Sequence, residues 1–488
     1  MPIVSIALRL LQGGLGNLAA YLAAHVLLCL VPAFFIAGGL AALIPREAIT
    51  RFLGKDAPKY ISYPAAALAG SVLAVCSCTI VPLFAGIRKK GAGLGPAITF
   101  LFFAPASNVL ALAYTGVVIG LDLAIARLVL SLAFGIGIGM IMALIFWRSE
   151  RLEANGNNGG FLAQGAKVPR ARVAFLLLLV ALLLSGTFKI GLLTNRYLVV
   201  DLPIAGLDRF QAFLDRLVPY DPSKGEEGVT VQGAMLIGLL VLIGLAAWPG
   251  LNQVYLGRNR WTGVTLALVV LTLLFAALGW TVHPNGVQLA LTGRFFGVVL
   301  FTGALTYVGR RFLSGEEIEE WLWESWRFVK QIFPLLLVGV FVVGVIRGLI
   351  RPEWIEYLAG KNTLLGNLAG VAFGVFMYFP TLVEVPIANM FLGLGMHRGP
   401  LLAYLMADPE LSLQSILVVS RIIGRLKAWV YVGWVALFST LAGLLYGAWI
   451  DGTPIGLIVL YLAAFLALLA FGLWRVDRRK QRILAGTR

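Results

Sequence analysis

Two cysteines separated by one residue are the most distinctive chemical groups in this sequence. Cys76 and Cys78 lie in an apolar stretch that runs from Val75 to Asn108 and reads VCSCTIVPLFAGIRKKGAGLGPAITFLFFAPASN. Thiolates bind soft acceptors, so the pair could hold a thiophilic solute. On a regular helix the two side chains would point in different directions, and joint binding therefore requires an unwound backbone. Two small residues packed at a helix crossing are the alternative interpretation.

Two prolines in the same stretch favour such unwinding. Pro82 and Pro105 each remove a backbone donor and obstruct the preceding turn, so we expect a broken or re-entrant helix at each of them. At membrane depth, a broken helix is tolerated only where protein or a water-filled cavity satisfies the freed backbone groups. The stretch is therefore a candidate substrate site. Its other candidate solute ligands are Ser77, Thr79, Ser107 and Asn108. The alternative is that these side chains form hydrogen bonds to local carbonyls.

The composition of the chain is that of a polytopic membrane protein. Of the 488 residues, 60% are hydrophobic and 13% are charged, whereas ordinary soluble domains have about 25% charged residues. Apolar runs of about 20 residues, each long enough to cross a bilayer, recur from end to end. We therefore expect an all-α fold with about 12 transmembrane segments.

The net charge of +16 would suggest nucleic-acid binding in a soluble protein. Here the basic residues cluster in short loops and in the tail, at 88–90 and 475–482, as they do in cytoplasmic loops of membrane proteins. We expect a multi-pass protein of the bacterial inner membrane. Its expected partners are a small-molecule solute and the lipid bilayer, with no nucleic acid, and a homo-oligomer is compatible with the sequence. Cys29, in the first apolar segment, could supply a third thiol.

A repeat relates this stretch to a second one, 304 residues further along the chain. Every matching pair in this stretch is separated by the same 304 residues, so the two copies align there without insertions or deletions, and each position lies in an equivalent apolar setting. Pro82, Gly91, Gly95, Pro96 and Pro105 recur as Pro386, Gly395, Gly399, Pro400 and Pro409. Downstream, Arg127 is matched to Arg421 after a shorter connection. Two copies of a broken-helix unit are typical of transporters that bind their solute between the copies, near the middle of the bilayer.

The second copy carries an acid that the first copy lacks. Glu384 lies in FPTLVEVPIANMF, with no other charged residue between Asn362 and His397. A carboxylate at membrane depth costs several kcal/mol unless it is paired, hydrated or protonated, so we expect Glu384 to couple transport to protons. The alternative is a protonated side chain that binds a carbonyl freed beside Pro386. The other candidate site residues of this copy are Pro380, Thr381, Asp408, Pro409 and Glu410. The two acids, Asp408 and Glu410, could equally cap a half-helix at a solvent-exposed surface.

These features divide the chain into five regions. They are the helices of the first copy at 1–147, a cytoplasmic linker at 148–172, central helices at 173–312 with an outer loop at 194–228, the helices of the second copy at 313–450, and a last helix with a basic tail at 451–488. Placing linker and tail on one side of the membrane demands an even number of crossings between them. We count nine candidate segments between the linker and the tail, which is an odd number. One of them, such as 286–312 with Arg294 in its middle, is therefore expected to be re-entrant or interfacial. The two copies are then inverted.

The motifs resemble those of the bacterial predicted permease family that includes the organoarsenical efflux permeases. In the first copy the resemblance rests on C-S-C followed by a proline, the basic turn, G-x-x-x-G-P and A-P-A-S-N; in the second it rests on F-P-T-L-V-E-V-P, G-x-x-x-G-P and D-P-E-L-S-L-Q-S. It implies a membrane permease, in some members one that exports trivalent organoarsenicals. The positions that match the hallmark residues of the family are Cys76, Cys78, Pro82, Pro105, Asn108, Glu384 and Pro386.

We therefore expect a secondary-active permease that exports a small solute, for example a trivalent organoarsenical, in exchange for protons. A thiol–disulfide oxidoreductase of the membrane is one alternative, although C-x-C replaces C-x-x-C and no flavin or quinone motif accompanies it. A passive channel is another. No motif of an ATPase or hydrolase is visible, so no enzymatic activity and no cofactor are expected. The three histidines show no metal-ligand spacing, and no metal site is expected.

Overall fold

The computed structural model describes most of the chain. The described residues are 2–24, 28, 30–54, 57–72, 77–147, 149–150, 169–187, 191–204, 206–218, 228–283, 286–347, 353–376 and 381–485. The helices, numbered in chain order, are α1 (Pro2–Ala24), α2 (Val31–Leu43), α3 (Arg46–Leu53), α4 (Lys59–Val72), α5 (Ser77–Lys89), α6 (Leu94–Ala106), α7 (Val109–Val118), α8 (Leu121–Ile145), α9 (Arg170–Thr187), α10 (Gly191–Thr194), α11 (Leu207–Leu217), α12 (Val231–Leu251), α13 (Arg260–Ala277), α14 (Gly293–Phe312), α15 (Gly315–Arg347), α16 (Glu353–Ala359), α17 (Leu364–Phe376), α18 (Thr381–Gly393), α19 (Arg398–Leu411), α20 (Leu413–Ile423), α21 (Arg425–Ile450) and α22 (Ile455–Ala485).

Several helices begin at a polar side chain that satisfies an otherwise unpaired backbone amide. Thr230 accepts a hydrogen bond from the amide of Gly233 at the start of α12. Asn259 and Thr262 form a reciprocal capping box at the start of α13. These caps explain why long apolar runs with little amphipathic pattern still begin at defined residues.

Eight helical segments of the described residues are long and apolar enough to cross a membrane. They are Leu94–Val118, Leu121–Ile145, Arg170–Thr187, Val231–Leu256, Arg260–Ala277, Gly315–Ile346, Arg425–Ile450 and Ile455–Gly472. A ninth arises if α19 and α20, which are bent by 47° with respect to each other, form one broken span. The prediction of a helical multi-pass membrane protein is confirmed, and the number of about 12 spans stays a prediction.

A small antiparallel sheet interrupts the predicted all-α architecture. Its strands β1 (Arg196–Leu202), β2 (Gly279–His283) and β3 (Gly286–Thr292) lie in the order β1-β3-β2. The segment 286–312, predicted to be one re-entrant or interfacial segment, is instead the strand β3 followed directly by α14. The helix begins there because the Thr292 hydroxyl accepts from the amide of Phe295. Arg294 therefore lies in the first turn of a helix, rather than in the middle of a segment.

The described chain forms two compact units, each assembled from distant parts of the sequence. The first unit contains α1, α2, α5, α9–α15 and the sheet. Its centre is the long helix α15, against which α1 and α2 pack. The indole of Trp321 donates a hydrogen bond of 2.8 Å to the carbonyl of Phe35 and contacts the ring of Phe175 edge-on. Lys89, at the end of α5, forms an ion pair with Glu324 of α15.

The second unit contains α4, α6–α8 and α16–α22. Every residue of α6 is buried, and so is every residue of α19 after Arg398. Because both helices are buried along almost their whole length, other helices enclose them. Accordingly, α6 packs between α4 and α8, and α19 packs between α17 and α21, while α6 and α19 also contact each other. These two enclosed helices form the core of the second unit.

The starts of four helices recur at an interval of 304 residues. Helices α5 to α8 begin at 77, 94, 109 and 121, and α18 to α21 begin at 381, 398, 413 and 425. Gly91 and Gly395, two residues beyond the ends of α5 and α18, have left-handed φ values of 91° and 88°, which favour glycine. The rings of Phe134 and Phe438, also separated by this interval, contact each other with centroids 4.8 Å apart.

Glycines let the enclosed helices approach their neighbours equally closely in both places. A Cβ added at Gly139 would lie 2.6 Å from the carbonyl oxygen of Gly95, and one added at Gly443 would lie 2.6 Å from that of Gly399. Such distances are too short for any side chain larger than hydrogen. The backbones of α6 and α8, and those of α19 and α21, are therefore in direct contact.

The four predicted helix-breaking prolines behave in two different ways. Pro82 and Pro386 lie inside α5 and α18, so the prediction that the helix breaks at Pro82 is wrong. Neighbouring groups in a membrane protein can satisfy the carbonyl that a proline leaves unpaired, and the helix then continues. Pro105 and Pro409 lie in the last turns of α6 and α19, and both helices end within two residues. At these two prolines the predicted interruption is observed.

The close approach of α19 and α21 predicts that Gly443→Val destabilises the protein. The added side chain would meet the carbonyl of Gly399, which cannot move aside as a flexible side chain would. Overpacking of this kind costs about 1–3 kcal/mol, and we expect a lower midpoint of thermal unfolding in detergent. Gly433→Val on the same helix is the matched control, because a Cβ at Gly433 has no neighbour within 4 Å. Equal unfolding midpoints for the two variants would contradict the packing described.

Candidate functional site

A buried ion pair joins the two parts of the second unit that the sequence analysis singled out. The guanidinium Nη2 of Arg127, on α8, lies 2.6 Å from Oε1 of Glu384, in the first turn of α18. Both side chains are completely inaccessible to solvent. Buried charges of opposite sign can be accommodated together, whereas either of them alone would be costly.

Arg127 also forms hydrogen bonds on both sides of the break between α6 and α7. Its Nε donates a hydrogen bond of 2.7 Å to the carbonyl of Ala106, the last residue of α6, and its Nη1 donates to the hydroxyl of Thr115. The final carbonyls of a helix have no partner within the helix and carry partial negative charge, so a cation is favourable there. One side chain thus connects α6, α7, α8 and α18.

The polar residues at this interruption bind mainly to one another. Asn108 accepts a hydrogen bond of 2.8 Å from the amide of Ala111 and thereby caps α7. The hydroxyls of Ser107 and Ser131 are hydrogen-bonded to each other. Asn108 also donates a hydrogen bond of 3.4 Å to the carbonyl of Pro105, which is the local bonding considered as the alternative, whereas Ser107 binds another side chain. Any role in solute binding requires these bonds to open.

A second buried carboxyl lies at the end of α19. The hydroxyl of Tyr431, on α21, donates a hydrogen bond of 2.6 Å to Oε2 of Glu410. Glu410 is 4% exposed and close enough to Glu384 for their charges to interact. Asp408, two residues earlier, is also buried, where the backbone of α19 passes Gly374 of α17. The second unit thus holds three buried acids on α18 and α19.

The sequence-predicted site residues fall into three groups. Those that belong to the second unit, with described side chains, are Pro105, Ser107, Asn108, Glu384, Pro386, Asp408, Pro409 and Glu410. Pro82 belongs to the first unit. Cys29, Cys76 and Pro380, together with the side chains of Ser77, Cys78, Thr79 and Thr381, lie outside the described part of the chain.

Two residues at the centre of the site were missing from the sequence-based set. The sequence analysis matched Arg127, on α8, to Arg421, on α20, whereas the helix that begins 304 residues after α8 is α21. At the interval of 304 that relates the helix starts, the counterpart of Arg127 is Tyr431. A constant interval leads from Arg127 to Tyr431, but no local pattern in the sequence pairs Arg127 with Glu384. Within the described residues, no cluster of three or more His, Cys, Asp or Glu could hold a metal ion.

The ion pair predicts that Arg127→Gln destabilises the protein strongly near neutral pH. Removing one partner leaves a buried charge without compensation, which costs about 3–5 kcal/mol. The deficit should shrink on acidification, because a protonated Glu384 needs no counter-ion. Thermal unfolding in detergent across a pH series measures both effects.

Arg421→Gln, at an exposed arginine, is the control and should leave the unfolding midpoint unchanged. In the double variant Arg127→Gln/Glu384→Gln no charge remains at the pair, and part of the lost stability should return. The coupling between the two sites should be about 0.5–3 kcal/mol. Strictly additive effects would mean that the two side chains do not depend on each other.

Comparisons with known proteins agree with this architecture. A family model described as Predicted permease (ArsP_1) matches residues 13–448. The UPF0718 protein MJ0584 of Methanocaldococcus jannaschii is 34% identical over 447 residues, which cover 92% of this chain and 98% of that protein. The UPF0718 protein YraQ of Escherichia coli (strain K12) is 26% identical over 130 residues, 27% of this chain and 37% of that protein. No solved structure matches the chain significantly. Because the family match spans both predicted copies, the resemblance noted in the sequence is confirmed, and the chain belongs to this predicted permease family.

Proposed function

We propose that the protein is a secondary-active permease of the bacterial inner membrane that exports a small solute in exchange for protons. Membership of the permease family supports membrane transport rather than enzymatic catalysis. The observation that carries the proton-coupling part of the proposal is the buried pair of Arg127 and Glu384. An ionisable residue inside a membrane protein is a functional candidate, because burying its charge is expensive.

The pair provides a physical link between protonation and conformation. When Glu384 takes up a proton, the charge of Arg127 loses its partner, and the contact between α8 and α18 loses most of its electrostatic attraction. A proton on Glu384 therefore favours conformations in which α18 separates from α8, and ionised Glu384 favours the conformation in which the two helices are joined by the ion pair. A ligand can shift a conformational equilibrium only through such a difference in affinity between two states.

A two-copy construction supports a transport mechanism in which one copy moves against the other. We propose that the helices α5–α8 and α18–α21 are the corresponding parts of two inverted copies. The common interval of their boundaries, the matched glycine contacts and the contact of Phe134 with Phe438 support two related copies. Transporters built in this way bind their solute between the copies and alternate between two accessible states. The inverted orientation rests on the distribution of basic loops.

The solute is proposed to be thiophilic, with a trivalent organoarsenical as the leading example. Cys76 and Cys78 support this choice through their preference for soft acceptors. We propose that the thiols determine selectivity and that Glu384 provides the coupling. Neither the oxidoreductase nor the passive channel gains support from a described contact.

Glu384→Gln tests the coupling. The amide cannot release a proton, so proton-driven accumulation of solute in inverted vesicles should fall to the level reached without a proton gradient. Glu320→Gln, at an exposed carboxyl of α15, is the matched control and should accumulate solute as the wild type does. Proton-dependent accumulation by Glu384→Gln at the wild-type level would reject the role of this residue.

Cys76→Ser/Cys78→Ser tests selectivity. Hydroxyls bind soft acceptors poorly, so transport of a trivalent organoarsenical should be lost in a vesicle uptake assay over a panel of solutes. Cys29→Ser shows separately whether the third thiol contributes to this selectivity. Retained organoarsenical transport by the double variant would remove the thiols from the site and leave the coupling proposal intact.

A further inference from the structure

Among the described residues, the carboxyl of Glu410 has no cationic partner. It lies almost completely buried at the end of α19, and among the described residues it forms no salt bridge. One carboxyl oxygen, Oε2, accepts a hydrogen bond of 2.6 Å from Tyr431, while Oε1 is buried and has no hydrogen-bond partner in the described part of the chain. A buried carboxylate with a single neutral donor is unfavourable, because one hydrogen bond does not replace its hydration.

The positive charge near Glu384 and Glu410 can balance only one ionised carboxylate. Arg127 contributes one positive charge, and that charge is paired with Glu384. The charges of Glu384 and Glu410 also act on each other, so ionising both would place one excess negative charge in the buried cluster. Two interacting carboxyls near one cation are neutral as a group when they hold one proton between them.

We propose that Glu410 and Tyr431 form a second proton-binding site, which shares one proton with Glu384 and is balanced by Arg127. In this proposal the proton rests on Glu410 while Glu384 is the ionised partner of Arg127. When Glu384 becomes protonated, Glu410 gives up its proton, and the group keeps the same total charge. This assignment rests on the proposed proton coupling and extends it from one carboxyl to two.

The other ionisable groups around α19 do not supply a counter-ion for Glu410. Besides Glu410, α19 itself contains Arg398, Tyr404 and Asp408. Of the packed helices, α6 and α17 contain none, α18 contains only Glu384, α8 contains Asp122 and Arg127, α20 contains Arg421, and α21 contains Arg425, Lys427, Tyr431 and Tyr446. Asp122 and Tyr446 form a cluster with Arg398, which lies at the opposite end of α19. Arg421 and Arg425 are exposed. Of all these groups, Tyr431 and Glu384 are the ones that act on Glu410.

The position of Tyr431 fits the role of a fixed donor. It follows Arg127 by the interval of 304 residues, and each of the two side chains reaches the end of the enclosed helix of its own copy. Arg127 binds the carbonyl of Ala106, and Tyr431 binds the side chain of Glu410, the residue that corresponds to Ala106. The first copy thus has a positive charge, Arg127, at the end of α6, and the second copy has a neutral hydroxyl, Tyr431, beside an acid at the end of α19.

Infrared spectroscopy of the purified full-length protein tests the assignment without solute or gradient. A protonated carboxylic acid has a C=O stretching band that shifts in heavy water and that a carboxylate lacks. The difference between wild type and Glu410→Gln at neutral pH should contain one such band. Arg127→Gln should gain a band, because both carboxyls become neutral without the cation. Glu384→Gln should lose the Glu410 band, because Glu410 then becomes the counter-ion of Arg127.

Tyr431→Phe is a milder variant that keeps the assignment testable if Arg127→Gln fails to fold. It should shift the frequency of the Glu410 band and retain its area, whereas Glu320→Gln should leave the spectrum unchanged. Absence of any carboxylic-acid band from the wild-type minus Glu410→Gln difference would overturn the assignment. So would a Glu410 band that persists in Glu384→Gln. Because no transport is measured, either result is independent of whether Glu384→Gln loses proton-driven accumulation.

Discussion

The ion pair between Arg127 and Glu384 is the interaction on which the arrangement of the second unit depends. Neither charge has access to water, so each is stabilised by the other and by the polar groups that Arg127 contacts at the end of α6 and on α7. A pair of this kind tolerates no change in one partner alone. In the proposed mechanism, a proton on Glu384 weakens this contact and favours release of α18.

Close helix packing sets the geometry in which this pair can exist. The enclosed helices α6 and α19 meet α8 and α21 at glycines, so the backbone carries the contact and the side chains around it have little freedom. Tightly packed interiors switch between discrete arrangements more readily than they deform continuously. The helix ends after Pro105 and Pro409 lie beside this rigid region, and they are the places where the backbone is interrupted.

Much of the architecture could be predicted from the sequence, because hydropathy and the spacing of Gly and Pro are local or periodic signals. Glu384 was found as an isolated carboxyl in an apolar setting. Its partner was not, since pairing between residues so distant in sequence leaves no local pattern. Proline at Pro82 was read as a break, although neighbouring helices let α5 continue through it. The sheet was missed because β1 and β3 read as parts of a loop and of an apolar segment. The roles of Cys76 and Cys78 stay predictions.

The central claim is that the protein exchanges solute for protons across the membrane in a fixed ratio. Its most direct test is to load proteoliposomes with a pH-sensitive dye, impose a gradient of the transported solute alone, and record the internal pH. The account predicts that solute flux drives proton movement in the opposite direction, in proportion to the solute transported. Solute flux of normal size with no change in internal pH would contradict it.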